Sequence, residues 1–285
     1  MPPLIEALKD PEWKVREAVA EALGFFSRHG KTVIPALMGS LDDDKAEVRK
    51  SAILSLGRLG KGSATVEETL SRYADDPNPA IRLNAGVALA FLGKRDKSSI
   101  PILIEAIDGK DQTTAKVAVR LLGLIGAKSP KEALPPLVEI LKKRQEPGAG
   151  NAIRVLRRMR SHAAPALPHI AALYDDAATV RRLDVLRAVA AIDRKGDRAL
   201  PTLIKALGDR EAKVRKAALL SLLSFRSKSD SFLEPLIAEL KDDNAENRLM
   251  ALGIIRGLGT KAAPAIPAVI SLTKDPVQKV QTAAI

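Results

Sequence analysis

The sequence predicts an all-α fold, an α-solenoid of eight to nine stacked helix pairs, on the strength of three periodic observations. Acidic turns recur at Asp10, Asp43, Asp76, Asp176, Asp209, Asp242 and Asp275, spaced by 33 residues except for one gap of 100 that holds three periods. An arginine follows six residues after most of them, at Arg16, Arg49, Arg82, Arg182, Arg215 and Arg248. Prolines keep a third phase at Pro35, Pro101, Pro135, Pro168, Pro201, Pro235 and Pro267, 32 to 34 residues apart or twice that. Self-similarity at a fixed period of this length is the mark of a repeat protein, in which each repeat buries its apolar faces only against its neighbours.

Each repeat reads as two helices. In the second repeat, Ile34, Leu37, Met38 and Leu41 have the spacing of one helix face, and Asp42, Asp43 and Asp44 end it. The second helix carries a core stripe that can be counted from the arginine. One residue before it stand Val15, Val48, Ile81, Val214 and Val280; three after it Val19, Ala52, Ala85, Ala118, Ala152, Ala218 and Ala251; seven after it Leu23, Leu56, Leu89, Leu122, Leu156, Leu222 and Ile255. At 100° per residue these positions fall within about 80° of one another. Alanine in the middle lets neighbouring helices approach closely. Glycines such as Gly57, Gly60, Gly123 and Gly126 punctuate the ends of second helices, and the proline is expected in the first turn of the first helix, where its missing N–H costs nothing. The repeats fall at about 1–28, 29–61, 62–94, 95–127, 128–161, 162–194, 195–227, 228–260 and an incomplete 261–285, forming a single domain.

Composition narrows the function. Of 285 residues, 46% are hydrophobic and 28% charged but only 3% aromatic, so small aliphatic side chains must build the core. With no cysteine there is no disulfide framework, thiolate metal site or cysteine nucleophile, and three histidines offer little else for a transition metal. No run approaches the roughly 18 uninterrupted apolar residues of a membrane span, and the opening lacks the order of a signal peptide, which predicts a cytoplasmic protein. The net charge of +12 biases the surface towards anionic partners. The chain opens with Pro2 and Pro3 inside a first helix and stops at Ile285 within a second, with no polar cap at either end, so self-association through an uncapped end is also expected.

Units of about 33 residues, each with a proline near its first helix and Asp…Val-Arg across the turn into its second, resemble the HEAT-repeat family, in particular its bacterial phycobilisome-lyase-type branch. The likeness runs through essentially the whole chain, with departures at Ala115, Ala149 and Gln281, where arginine is expected, and at Arg157 and Arg160, which replace glycines. It implies a right-handed superhelix whose second helices line a concave side that holds partner proteins. It also permits a phycobilin-lyase-like subunit, although no residue supports that activity. The His-Glu pairs of the iron-dependent hydroxylase branch are absent, because His29, His162 and His169 are followed by Gly30, Ala163 and Ile170. The groove aromatics of HEAT-type DNA glycosylases are absent too, since Trp13, in the first turn, is the only tryptophan.

Two charged features stand out. The first is a ladder of Asp10, Arg16, Asp43, Arg49, Asp76, Arg82, Asp209, Arg215, Asp242 and Arg248. A pattern identical in every repeat maintains a stack, with each Asp capping the second helix and each Arg pairing with an Asp within or between repeats. The same reasoning leaves Asp42-Asp43-Asp44 as a helix-capping turn, since no glycine or bidentate glutamate completes a calcium loop. It leaves Gly57–Ser63 as an inter-repeat turn, since the spacing of a phosphate loop is not met. The second feature is not repeated. Positions one, five and eight after the ladder arginine point about 200°, 240° and 180° from the first core position and are expected to face the groove. They are Glu17, Glu21 and Gly24 in repeat one and Leu83, Val87 and Ala90 in repeat three. Further on, this face and its near neighbours hold Lys116, Arg120, Arg154, Arg157, Arg182, Arg187, Lys216 and Arg256. The planar fork of arginine recognises carboxylate and phosphate bidentately. The expected function is therefore a non-catalytic scaffold without cofactor or metal, holding an acidic peptide or protein surface, with Leu54, Leu83, Val87 and Leu220 adding apolar contact. The alternative partner is a nucleic-acid backbone, disfavoured by the lack of aromatic residues that stack on bases.

Overall fold

A computed structural model describes residues 1–93, 99–109, 112–175 and 178–285, and most of these are helical, with no strand among them. They form two compact units, Met1–Arg158 and Met159–Ile285. In the first, α1 (Pro2–Glu6) and α2 (Trp13–Leu23) are followed by the pairs α3 (Gly30–Gly39) with α4 (Ala46–Leu59), and α5 (Ala64–Arg72) with α6 (Pro79–Leu92). Next come α7 (Ile100–Asp108) with α8 (Gln112–Gly126), and α9 (Pro130–Lys143) with α10 (Gly148–Met159). The second unit holds α11 (Leu167–Ala171) with α12 (Thr179–Ile192), α13 (Leu200–Leu207) with α14 (Ala212–Leu222), α15 (Leu233–Ala238) with α16 (Ala245–Leu258), and α17 (Ile266–Ser271) with α18 (Gln278–Ala284). Second helices pack in succession, α2 on α4 on α6 on α8 in one unit and α12 on α14 on α16 on α18 in the other.

The counted stripe explains this stacking. Every member at the third and seventh positions is buried, from Val19 and Leu23 through Ala251 and Ile255, as are Val48, Ile81, Val214 and Val280 at the position before the arginine. Val15 is the departure. It is 38% exposed, and α1, which precedes its helix, buries none of its own residues. The prolines divide in two classes. Pro101, Pro168, Pro201 and Pro267 stand in the first turn as expected, whereas Pro35 and Pro135 lie inside α3 and α9, which begin a turn earlier than the pattern suggests. Arg160, at a position where glycine was expected, takes φ of 57°, the left-handed region that side chains with a Cβ enter at a cost of about 1 kcal/mol.

The run Ala245–Lys274 has the length and mean hydropathy, 1.2, of a membrane-crossing helix. It is interrupted by Gly259 at φ of 60° and by Pro264, so that α16, at 14 residues, extends only about 21 Å against roughly 30 Å of hydrocarbon.

The eighth position was expected to face the groove, but glycines there are packing residues instead. At 180° from the first core position this side of the helix meets the next second helix. A Cβ on Gly24 would come 2.4 Å from Ser55 Oγ, and one on Gly57 would come 2.5 Å from Ala88 Cα. Gly253, also mid-helix, has nothing within 4 Å of an added Cβ. Gly57→Ala must therefore push α4 from α6 and cost about 1 to 3 kcal/mol, whereas Gly253→Ala should gain about 0.5 to 1 kcal/mol from helix propensity. Melting curves of the two variants should shift in opposite directions.

Candidate interaction surface

The surface is presented by second helices, and the ladder fixes their register. Each closed rung is built alike. Arg16 Nη1 donates to the carbonyls of Asp10 (2.9 Å) and Pro11 (3.2 Å) in its own turn, while Nε and Nη2 reach the two Asp43 oxygens at 2.6 and 2.9 Å, one repeat further on. Arg215 repeats this with the Asp209 carbonyl (2.8 Å) and with Asp242 at 2.7 Å from both Nε and Nη2. Arg248 repeats it again with the Asp242 carbonyl and Asp275, all at 2.8 Å. Arg182 Nη1 lies 3.0 Å from Asp209, which also accepts from Tyr174 Oη at 2.6 Å. Asp176, which the sequence placed in this series, lies outside the described residues.

Two rungs are different. Arg82 donates to the carbonyls of Asp76 (2.8 Å) and Pro77 (3.2 Å), but the next turn holds Gly109 instead of an aspartate, and Glu105 takes the guanidinium. Arg49 holds the carbonyls of Asp43 (2.7 Å) and Asp44 (3.2 Å) without an ion pair to Asp76. A cleft of ≈ 520 Å³ opens there, lined by Leu41, Asp42, Arg72, Tyr73 and Asp76 among others.

The ladder aspartates were expected to cap second helices. Each in fact sits two residues earlier, as an Asx turn that accepts the backbone N–H of the N-cap residue: Asp43 from Lys45 (2.9 Å), Asp209 from Glu211 (2.9 Å), Asp242 from Asn244 (2.8 Å). Capping falls to the residue at the N-cap where it can accept, as Asn78 does from Ala80 N and Asn244 from Glu246 N and Asn247 N.

These contacts set the charge states. The Arg16 guanidinium, with the Lys45 N–H, holds the Asp43 carboxyl down at about 2 against the cost of partial burial. Burial would raise Asp242, yet bonds from Arg215, the Asn244 N–H and Asn247 hold it below the usual carboxylate range. Glu239 goes the other way. It is 7% exposed with Oε2 unpartnered, and burial, then its contact with Asp242, pushes it up to about 7.

The non-repeated residues divide by unit and by partner. Lys116 and Arg120 are exposed on α8 and Arg157 is half-buried on α10. Arg154 donates to Asn151 Oδ1 at 2.7 Å. Leu83 and Val87, expected to line the groove, are buried at 7% and 5% exposure, so the face is closed in repeat three. In the second unit Arg182 is a ladder residue, its side chain 11% exposed and paired with Asp209, so it is not a groove residue as the sequence suggested. Lys216 pairs with Glu246 at 2.7 Å and Arg187 lies 3.7 Å from Asp184, both partly neutralised, while Arg256 is exposed. His29 meets the Phe26 ring edge-on at 6.4 Å and His162 Nδ1 lies 3.1 Å from the Met159 carbonyl; no group of three or more His, Asp or Glu placed to hold a metal occurs among the described residues.

A model of HEAT repeats matches residues 1–67. The fold resembles HEAT and armadillo solenoids such as importin beta. Among solved structures, importin beta matches with a TM-score of 0.68 at 15% identity, over 100% of this chain and 45% of that one. Kap95p, in a complex in which its binding switches the loops of RanGDP to the GTP-bound conformation, matches with a TM-score of 0.65 at 13% identity, over 100% of this chain and 44% of that one. An engineered protein matches with a TM-score of 0.53 at 18% identity, over 99% of this chain and 86% of that one. The chain thus spans less than half the length of the importin beta and Kap95p chains. These matches do not support a phycobilisome-lyase-type relative in particular, and no curated protein matches the sequence.

Glu239 gives the helical stack a pH dependence of definite sign. Its folded pKa, about 7, lies above the usual value for a carboxyl in an unfolded chain, about 4.3, so folding takes up a proton between these values and stability falls as pH rises through the window. Glu239→Gln should raise the melting temperature at pH 8 and leave it nearly unchanged at pH 4.

Proposed function

We propose that the chain is a non-catalytic scaffold that holds an acidic segment of a partner protein against the second helices of its first unit. HEAT-repeat solenoids are generally non-enzymatic scaffolds, and the Kap95p complex is one in which such a fold binds a protein, RanGDP. The observation that carries the reading is the state of the arginines on α8 and α10. Arg120 and Arg157 stand on neighbouring second helices without an ion pair among the described residues, whereas the ladder arginines, a few residues away on the same kind of helix, are each bound to a carboxylate or to turn carbonyls. A guanidinium left with water is free to take a carboxylate bidentately. Lys116, one turn before Arg120, adds positive charge to the same patch. The duplex or single-stranded backbone of a nucleic acid offers the same charge, and the two are separated by the strength of their salt dependence.

The experiment is binding of a labelled polyglutamate peptide to the full chain, followed by fluorescence anisotropy. Arg120→Glu with Arg157→Glu should abolish binding, and Arg120→Glu alone, an exposed charge worth at most about 1 kcal/mol, should weaken it and leave the melting temperature nearly unchanged. Unchanged affinity in the double variant, or tighter binding of an oligonucleotide with a steep logarithmic salt slope, would overturn the reading.

A further inference from the structure

The arginine patch lies beside a second row that the repeat count brings out. Nine residues after each ladder position of the first unit, at or just beyond the C-terminal end of each second helix, stand Phe25, Arg58, Phe91, Leu124 and Arg158. Apolar members of a soluble surface are ordinarily scattered singly. Here Phe25 is 67% exposed, Phe91 46% and Leu124 61%, with Arg58 and Arg158 exposed between and after them on the intervening helices. The row is continuous where contacts define it. The Arg58 guanidinium carbon sits 4.7 Å from the centre of the Phe25 ring, joining α4 to the end of α2. The Arg158 side chain lies across α8 at Gly123, where an added Cβ would come within 2.6 Å of it, next to Leu124.

The face widens on α8. Val117, 44% exposed, and Arg120 stand seven and four residues before Leu124, the spacings that share one helix face. From the second repeat onward neither the fifth nor the ninth position in this unit holds a carboxylate: they read Leu54, Val87, Arg120 and Arg154, and Arg58, Phe91, Leu124 and Arg158. The same ninth position in the second unit holds Ala191, Ser224 and Gly257, too small to offer apolar contact. Exposed apolar side chains interleaved with arginine and free of acid complement a ligand with the opposite charge and its own apolar groups. A nucleic-acid backbone supplies only the first.

We infer that the C-terminal ends of the second helices in the first unit form a docking strip for a peptide segment in which Leu or Phe side chains alternate with Asp or Glu. The strip rests on the scaffold function proposed above and adds the apolar half of the recognition. Phe91 and Leu124 take the peptide's apolar side chains; Arg58, Arg120 and Arg158 take its carboxylates. Because the apolar residues are already exposed, replacing them leaves the core intact.

Three labelled peptides test this on the full chain: one of Glu and Gly, one of Glu with interspersed Leu and Phe, and one of Lys with the same Leu and Phe. Wild type should bind the Glu/Leu/Phe peptide roughly tenfold tighter than the Glu/Gly peptide and fail to bind the Lys peptide. Phe91→Ser with Leu124→Ser should remove that tenfold preference while leaving Glu/Gly binding and the melting temperature unchanged. Equal affinity of wild type for the two acidic peptides, or an undiminished preference in the serine variant, overturns the strip. Glu/Gly binding that survives reversal of Arg120 and Arg157 overturns the scaffold reading instead, so the two failures are distinguishable.

Discussion

Wherever the ladder closes, consecutive repeats are joined by one guanidinium. The ladder arginine reaches back with Nη1 to two carbonyls of the turn that precedes its own helix and forward with Nε and Nη2 to the aspartate of the next repeat, as Arg215 does between the Asp209 turn and Asp242. A single side chain therefore fixes the turn within a repeat and the spacing to its neighbour. Its geometry demands arginine, because the ammonium of lysine cannot present three aligned donors on a planar fork. The aspartate is equally committed: Asp242 also accepts from the Asn244 backbone N–H and from Asn247 Nδ2, whose other bond, to the Ala212 carbonyl, crosses to α14. Such buried pairs are costly to desolvate and costly to break singly, which makes them devices of register more than of net stability.

Apolar packing supplies the rest of the adhesion. The small aliphatic residues at the third and seventh stripe positions are buried from α2 to α16, and glycine at Gly24, Gly57 and Gly123 lets the neighbouring helix come close. Register and close packing leave only the solvent-facing positions between these two packed sides unconstrained. That is where sequence diverges between repeats, and where the arginines of α8 and α10 and the row from Phe25 to Arg158 are found.

Much of this was legible in the sequence for physical reasons that can be named. A period of 33 residues, an Asp six residues before an Arg, and a Val/Ala/Leu stripe specify a helix pair and its buried side, since burial at three positions in every repeat leaves a repeated signal. The bond partners of the ladder were legible only in outline. The aspartate was read as a cap but acts two residues earlier, because Asx turns and N-caps use the same residue types. The groove was less legible still. Angles on a helical wheel separate core from non-core, but they do not distinguish a face open to water from one covered by the next helix, which is why Leu83, Val87 and Gly57 proved to be packed. Tyr174, whose hydroxyl shares Asp209 with Arg182, carried no repeated signal by which it could have been found.

The central claim is that the arginine–aspartate bridge couples consecutive repeats, and a double-mutant cycle on Arg215 and Asp242 measures it directly. Arg215→Met, Asp242→Asn and the double variant would be unfolded in urea and their stabilities compared. With side chains 12% and 0% exposed and two bonds of 2.7 Å between them, the account predicts a favourable coupling energy of about 2 kcal/mol, within the range found for contacting residues. Additive losses, with a coupling near zero, would mean that the repeats are held by apolar packing alone and that the ladder only decorates their turns.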